Sequence, residues 1–318
     1  MKKRLDKRTQ ELLRRAKKSS TPYSFGPGHV QDCGTLRVIA QIDALVDAGE
    51  TASQVMKWTS GNWGHFSIEW TAVRIWYIAE PLQAFFMGPD GEILVGTPKD
   101  GPREETLDET TQGPQGRGPL RDLRLIGSHL YAVGMSRQVY RREGVDRWPH
   151  QDEGTVLALG SKTMAGFNSI DGLSEDDLYA VGFGGEIWRC LKGRWRQIQS
   201  PSNVVLHRVK VVRENLAYAC GQKGVLLRGR GDAWEQIDHG ATEDDLWDAE
   251  WYQDRLYLAH DDGLFTLTDT NDFEKVKFGI RGTITCRHLH ANDGVLLSSG
   301  AKNVMWTDDG KTWHDITP

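Results

Sequence analysis

A repeat of roughly 40 residues constrains the fold more than any other feature, and residues 172–195 show it most clearly. In that stretch an apolar run, 178–181, ends at Gly182. A glycine turn follows, and a second run, 187–190, precedes another turn and Trp195. Two β-prone runs around a glycine turn predict a β-hairpin, and the same punctuation begins a third strand.

Two landmarks show that this unit recurs. The apolar run before the first turn ends at Gly134, Gly182, Gly221, His260 and Gly300, so successive copies are 48, 39, 39 and 40 residues apart. A large aromatic residue stands thirteen or fourteen residues later, as Trp148, Trp195, Trp234, Phe273 and Trp313. A divergent sixth copy begins at Arg74, with Glu80 in the glycine position and Ile93 in the aromatic one. Landmarks that keep one phase predict a repeat architecture.

The period predicts a β-propeller, because several short strands per copy and little helical periodicity are typical of its blades. A blade buries both faces only by stacking on its neighbours around a central axis. We predict an all-β, six-bladed propeller over residues 66–318, with seven blades as the alternative. The predicted blades lie near residues 66–97, 120–150, 155–200, 203–240, 242–278 and 283–318.

Residues 1–65 are predicted to form a helical and irregular N-terminal extension. Residues 1–18 predict a basic helix that is either a solvated terminus or a contact to anionic lipid or nucleic acid. Residues 35–48 have apolar side chains at helical spacing, and residues 51–58 predict a second short helix. The segment 97–119, rich in Gly, Pro, Thr and Glu, predicts a long irregular loop that is functional or disordered.

Two segments carry a family resemblance: S-E-D-D-L-Y-A-V-G-x-x-G-x-I-x-R at 174–189 and D-D-G-K-T-W at 308–313. They resemble the blade repeats of bacterial propellers related to Asp-box, or sialidase-type, repeats, whose usual motif is S-x-D-x-G-x-x-W. This chain supplies Asp308, Gly310 and Trp313, but Trp306 stands where the motif has serine. The resemblance implies the propeller fold for roughly residues 66–318 and says little about function, since one fold hosts many functions.

Composition excludes several classes of protein. No stretch approaches 18 uninterrupted apolar residues, so no transmembrane helix is predicted. The first twenty residues lack the apolar core of a secretory signal, so export by that route is not expected. The four cysteines, none in a C-x-x-C pair, favour a reduced cytoplasmic protein over a disulfide scaffold.

The net charge of −5 is unevenly distributed. The first twenty residues hold nine Lys and Arg against two acidic residues, a local charge of +7, so the remaining chain carries −12. An acidic body argues against nucleic-acid binding by the propeller. It suits docking to a basic protein.

No pattern assigns a catalytic or metal-binding role. The sialidase resemblance implies catalysis by three arginines converging on a carboxylate, a Tyr/Glu nucleophile pair and an acid; Arg137 and Tyr140 are of the right types, but neither lies in a motif. His288 and His290 alternate on a predicted strand, so they share a face and would need a third ligand to hold a metal. A packed histidine is the alternative. We predict no enzymatic activity, no cofactor and no metal.

Propeller geometry predicts a face for binding a partner. Loops that join second to third strands and loops that join one blade to the next emerge on the same rim, which collects the 97–119 segment and several acidic turns. Trp247 lies beside one of these turns, and Trp is enriched at binding hot spots. The predicted partner-binding residues are Arg137, Phe183, Lys223, Glu243, Asp244, Asp245, Trp247, Asp261, Asp262 and Lys302.

A propeller without a catalytic motif resembles the cytoplasmic immunity proteins that bacteria encode beside secreted toxins. The resemblance implies a protein that binds and neutralises a cognate toxin, and the acidic body suits a basic, nuclease-like one. One alternative is a sialidase-like glycan-binding or glycosidase propeller, and another is an assembly factor for a larger complex. We expect a monomer before the complex forms, with no membrane partner and no nucleic-acid partner.

Overall fold

A computed structural model describes residues 22–280, 282 and 284–318, and these form a propeller of seven antiparallel sheets. Consecutive strands build each blade, from the innermost strand outward. Blade one comprises β1 (Tyr23–Asp32), β2 (Thr35–Ile42), β3 (Ser53–Thr59) and β4 (Asn62–Ile68); blade two comprises β5 (Arg74–Ile78), β6 (Gln83–Met87), β7 (Glu92–Thr97) and β8 (Gly101–Thr106); blade three comprises β9 (Leu120–Ile126), β10 (His129–Gly134) and β11 (Val139–Arg141).

The remaining four blades each have four strands. Blade four comprises β12 (Phe167–Ser174), β13 (Asp177–Gly182), β14 (Ile187–Leu191) and β15 (Arg194–Ile198); blade five comprises β16 (Leu206–Arg213), β17 (Leu216–Gly221), β18 (Leu226–Arg230) and β19 (Ala233–Gln236). Blade six comprises β20 (Leu246–Tyr252), β21 (Arg255–His260), β22 (Gly263–Leu267) and β23 (Phe273–Lys275); blade seven comprises β24 (His288–Asn292), β25 (Val295–Ser299), β26 (Val304–Thr307) and β27 (His314–Asp315).

Helices contribute little to the described residues. The short α1 (Asp43–Val46) joins β2 to β3, and α2 (Pro114–Arg117) lies between blades two and three. No helix in this part of the chain has the length and apolarity needed to cross a bilayer. In blade three, an irregular segment takes the place of the fourth strand. His150 in this segment forms an isolated β-bridge with Tyr140, and Trp148 is buried.

The apolar core is divided among the blade boundaries. Seven buried clusters fill the seven gaps between neighbouring blades. In β2, for example, Leu36 and Val38 pack toward blade seven, whereas Ile39 packs toward blade two. A middle strand is therefore buried on both faces, so its side chains do not alternate between apolar and polar.

The repeated glycine has a steric cause. At Gly182 a Cβ atom would overlap the carbonyl oxygen of Gly166, and at Gly300 it would overlap that of Thr285. Both carbonyls belong to chain that leads into the inner strand of the same blade. The glycine therefore marks the point where the second strand passes the entry to the first too closely for any side chain.

The blade count and the N-terminal helices are corrections to the sequence predictions. The propeller has seven blades, so the preferred count of six was wrong and the alternative of seven is confirmed. Residues 35–48 and 51–58 were predicted as helices, but β2 and β3 occupy most of them and belong to blade one. Because β2 is buried on both faces, most of its residues are apolar, and several of them fall at helical spacing. The helix predicted over residues 1–18 lies outside the described residues.

Two further sequence predictions are revised. The predicted loop 97–119 contains β8 and α2, and the true second blade runs from Arg74 to Thr106. In the turn at 308–313, Asp309 rather than Asp308 accepts hydrogen bonds from the backbone N–H groups of Lys311 and Thr312. Trp313 is buried, as expected for a blade-packing residue.

Polar side chains of the inner strands tie each blade to the next. Asp122 in blade three accepts a hydrogen bond from the backbone N–H of Ile170 in blade four, at 3.1 Å. Asp171 in blade four accepts from Val211 in blade five, at 2.8 Å. Asp248 in blade six repeats the contact with Leu289 in blade seven, at 2.9 Å. A carboxylate on one inner strand thus replaces the hydrogen bond that no neighbouring strand supplies.

Among the described residues, the first and last blades are each built from consecutive strands, and side chains join them to close the ring. The backbone N–H of Val30 in blade one donates to Nδ1 of His290 in blade seven, at 3.1 Å. The side-chain amide of Asn292 donates to the carbonyl of Val30, also at 3.1 Å. Trp63 on the outer strand of blade one donates to the carbonyl of Ile316, at 2.7 Å. Closure therefore depends on side-chain contacts at both the inner and outer edges of the two blades.

We expect Asp171→Ala to destabilise the protein by about 3–5 kcal/mol, because it breaks a buried ion pair and leaves partners unsatisfied. Asp171 is buried, pairs with Arg124 at 3.2 Å and accepts from the N–H of Val211. The measurement is urea unfolding. Asp232→Ala is the control: Asp232 pairs with Arg196 at an exposed site, so its loss should cost less than about 1 kcal/mol. Equal costs for the two variants would contradict a structural role of the inner-strand carboxylate.

Candidate functional site

The two classes of connection named above emerge at one end of the propeller, which we call the loop face. The second-to-third-strand turns contain Arg137, Phe183, Lys223 and Asp261, and the connection between blades five and six contains Glu243. The inner strands all begin at this end, so their first residues surround the opening of the central axis.

A cavity of about 460 Å³ opens on the loop face around the axis. We call its principal lining residues the channel mouth, and they are Arg74, Arg121, His207, Arg208, Trp247 and Arg287. Beneath the channel mouth the space shrinks to about 30 Å³, which is room for about one water molecule. The axis is therefore a shallow, closed-bottomed socket among these residues.

The floor of the socket is an ion-pair network. Asp122 is buried and lies 2.9 Å from Nε of Arg74 and 3.3 Å from Nη1 of Arg208. The Nε of Arg208 lies 2.9 Å from Asp248. Burial alone would raise the pKa of Asp122, but Arg208 and Arg74 outweigh it and lower the pKa, so Asp122 stays ionised.

The wall of the socket is aromatic. The indole of Trp247 stacks on the ring of His207, with centroids 4.8 Å apart, and the guanidinium of Arg287 lies 5.0 Å from the indole on a cation–π contact. Arg287 also pairs with Asp261 at 2.7 Å. Asp245 contacts His207 at 3.4 Å. Burial lowers the pKa of His207, which leaves this ring neutral near pH 7.

Four of the predicted partner-binding residues lie at or beside the channel mouth. Trp247 lines it, Asp261 and Asp245 contact lining residues, and the ring of Phe183 lies 5.2 Å from the guanidinium of Arg121. Lys223 is next to this group, since its backbone N–H donates to Asp245 at 3.1 Å.

The other predicted residues lie farther out on the loop face. Arg137 forms a bidentate pair with Glu186, and Lys302 pairs with Asp43 across the boundary between blades seven and one. Asp262 pairs with Lys275. The carboxylates of Glu243 and Asp244 belong to exposed residues in the connection between blades five and six. The structure therefore distributes the predicted set over a wide rim rather than one cluster.

Sequence reasoning missed the arginines of the channel mouth. A weak signal exists: Arg121, Trp247 and Arg287 each stand thirteen residues before the repeated landmark of their blade, which is Gly134, His260 or Gly300. Arg74 and His207 stand fourteen residues before Gly88 and Gly221. Aligning Glu80 with the repeated glycine misplaced Arg74 within its blade, because the second strand of blade two ends at Met87, next to Gly88.

His290 packs in an aromatic cluster at the closure of the ring. Nδ1 of His290 accepts the Val30 N–H, and the ring lies 3.7 Å from the ring of His29 in a cluster with Trp76. Within the described ranges, no group of three or more His, Cys, Asp or Glu side chains is arranged to hold a metal ion. Burial, and then the charge of nearby arginines, lowers the pKa of His288 to about 3. These histidines are packing residues of the channel.

Comparison with known proteins gives one full-length relative. The chain is 34% identical over 306 residues to the protein named Immune protein Tsi7 from Pseudomonas aeruginosa strain PAO1, and the alignment covers 94% of this chain and 99% of that protein. No family model matches the sequence.

Solved structures share the fold at low sequence identity. YCF48 from Cyanidioschyzon merolae has a TM-score of 0.67 at 11% identity, covering 91% of this chain and 96% of that one. The WD40 β-propeller domain of Doa1 has a TM-score of 0.65 at 11% identity, covering 89% and 91%. Likeness at this identity shows the propeller fold and no more.

The buried histidines should make stability fall as the pH drops below about 6.5. Both nitrogens of His29 are buried without a hydrogen-bond partner among the described residues, and burial, then His290, lowers its pKa well below 6.5. The unfolded chain therefore binds a proton near pH 6.5 that the folded chain does not. Each such histidine removes up to about 1.4 kcal/mol per pH unit in this window.

His29→Phe isolates this contribution, because it keeps a ring against Trp76 and removes the titration. Urea unfolding from pH 7 to pH 5 should give a shallower pH dependence for the variant than for the wild type. Carboxylates contribute equally to both proteins and cancel in the difference. Parallel curves would contradict the assignment of a neutral His29.

Proposed function

Because the chain belongs to the family of the Pseudomonas aeruginosa immune protein Tsi7, we propose that it is an immunity protein that binds and neutralises a cognate bacterial toxin. The observation that supports this most strongly is the 34% identity, which extends over nearly the full length of both proteins. A shared blade or motif would indicate only a shared fold, whereas end-to-end similarity includes the loops on which binding depends.

The proposed mode of action is binding without catalysis. A sialidase-type site needs free arginines that converge on a substrate carboxylate. Here Arg137 in a second-to-third-strand turn, and Arg189 and Arg228 in the third strands of blades four and five, are each held by a carboxylate, namely Glu186, Asp177 and Glu235. These pairs do not favour the glycosidase alternative.

The loop face is the proposed binding surface. Of the nine large apolar residues exposed among the described residues, four lie in connections that emerge there, namely Val46, Leu159, Met164 and Ile280. Single exposed apolar residues are ordinary on a protein surface, and four others, Leu82, Val145, Leu173 and Leu191, lie at the opposite end. The socket and the long connections around it therefore support the choice of this face more than its apolar residues do. Connections of this kind vary in sequence without disturbing the blades.

The acidic residues of this face suit a basic, nuclease-like toxin domain. Glu243 and Asp244 are exposed, and Asp262 on the adjacent turn of blade six is exposed beside Lys275. Acidic side chains on a rim attract a basic partner and raise the association rate. We propose the ten predicted partner-binding residues as the rim of this interface, with the partly buried Trp247 as its aromatic anchor.

The immunity role also implies a state before binding. We propose that the protein is a cytoplasmic monomer before it binds the toxin. Its buried cysteines, Cys190, Cys220 and Cys286, are all free thiols, as a reducing compartment would keep them.

The test is binding to the protein encoded next to this gene, measured by calorimetry with the purified pair and by growth of cells that express both. We expect a complex and protection from toxicity. The double variant Glu243→Lys and Asp244→Lys should bind a basic partner at least about tenfold more weakly, since like charges would then face each other.

The matched control reverses two carboxylates at the opposite end of the propeller, Asp176→Lys and Glu214→Lys, where first-to-second-strand turns emerge. It should bind like the wild type. Equal weakening by both double variants would show that the loop face is not the contact surface. Failure of the wild-type protein to bind or protect would reject the immunity role itself.

A further inference from the structure

One arginine of the channel mouth lacks a carboxylate partner. The guanidinium groups of Arg74, Arg208 and Arg287 are paired with Asp122, Asp248 and Asp261. Arg121 is the fourth guanidinium group that lines the cavity, and no carboxylate of the described residues lies within ion-pair distance of it. The socket therefore presents one guanidinium group that can pair with an incoming anion.

Arg121 has an unused hydrogen-bond donor in the socket. Its Nε is buried and has no hydrogen-bond acceptor among the described residues. Its guanidinium lies 5.2 Å from the ring of Phe183, which restricts its orientation without neutralising it. Burial and the neighbouring Arg74 lower the pKa of Arg121, so an anion placed beside this group would stabilise its charged form.

The floor beneath Arg121 limits what can enter. The network of Asp122, Arg208 and Asp248 narrows the axis, and only about 30 Å³ of open space remains among these residues. A ligand group must therefore enter from the loop face and stop at the level of Arg121. A cavity of about 460 Å³ admits a side chain and the turn that bears it, and it does not admit a folded domain.

We propose that the channel mouth is an oxyanion site that receives a carboxylate side chain, an Asp or Glu on a projecting loop of the bound protein partner. The assignment rests on the proposed function for the identity of the ligand as a protein. Arg121 is the contact residue, and the paired Arg74 and Arg287 on either side supply positive potential and further N–H donors. Guanidinium groups bind carboxylates through paired N–H donors, so the geometry of the site suits this ligand.

The acidic rim and the basic socket then act together. A basic partner surface meets Glu243 and Asp244 on the rim, while one acidic loop of the partner meets Arg121 at the centre. A competitor with a uniformly basic surface would cover the partly exposed Arg121 without giving it an anionic partner. Such an uncompensated charge rejects wrong partners more effectively than it strengthens the right one.

The first experiment uses the protein alone, with citrate and inorganic phosphate as probes at equal ionic strength, titrated by calorimetry. Citrate should bind the wild type, and Arg121→Gln should bind it at least about tenfold more weakly. The matched control is Arg194→Gln, an exposed arginine of the outer strand β15 that has no ion pair among the described residues; it should bind citrate like the wild type. Arg287→Gln, at the exposed edge of the socket, should also bind citrate more weakly than the wild type does.

Equal citrate affinity of the wild type and Arg121→Gln would overturn the oxyanion site. Tighter binding of phosphate than of citrate would overturn the carboxylate assignment and indicate a phosphoryl ligand. Urea unfolding of each variant checks that a lost signal comes from the site and not from the fold.

The second experiment uses the toxin encoded by the adjacent gene. Arg121→Gln should bind it at least about tenfold more weakly, Arg194→Gln should bind it normally, and citrate should compete with it for the wild type. Normal toxin binding by Arg121→Gln would reject carboxylate insertion and leave the proposed function intact. Citrate binding by a wild type that binds no toxin would instead reject the proposed function, and with it the protein source of the carboxylate.

Discussion

Hydrogen bonds from one inner strand to the next are the constraint on which the rest of this propeller depends. Inner strands diverge around the axis, so their backbone N–H groups have no ladder partner on the axial side. Asp122, Asp171 and Asp248 fill that role by accepting from the next blade, and His290 does so at the closure. Between blades one and two the ring of His29 packs against Trp76 instead. An unsatisfied buried N–H costs about 1–3 kcal/mol, so these contacts set the spacing of the blades.

Burying carboxylates along the axis has an electrostatic consequence. Each needs a cation, and Arg124, Arg208 and Lys210 supply charges from neighbouring inner strands. The axis below the cavity is thereby lined with paired charges, and little open space remains between them. The arginines of the floor pair with carboxylates, whereas Arg121, where the socket meets the loop face, has no ion-pair partner among the described residues. The same chemistry that holds the blades together thus produces a site for an anion at their common entrance.

The repeat could be predicted from sequence because its markers have local causes. The glycine at Gly182 and its equivalents is required by the close approach of chain within one blade, and the aromatic residue that follows fills the boundary with the neighbouring blade. Such requirements recur in most copies, so the sequence shows a regular repeat. Blade one lacks them: β2 ends at Ile42 without a glycine, and its residues are buried on both faces. Its apolar spacing fits a helix as well as a strand, so the first blade was assigned to a helical extension.

The sequence by itself determined the all-β class, the blade period, most strand positions from blade three onward and the set of turns that share a rim. The tertiary structure alone decided the number of blades, the composition of the socket and the partners of each arginine. The physical reason is one of range. Turn geometry and strand burial act within about 40 residues and mark the sequence, whereas Arg74, Arg121 and Arg208 meet only when the ring closes. Whether an arginine is paired or left with an unmatched charge depends on that closure, and no single blade contains the information.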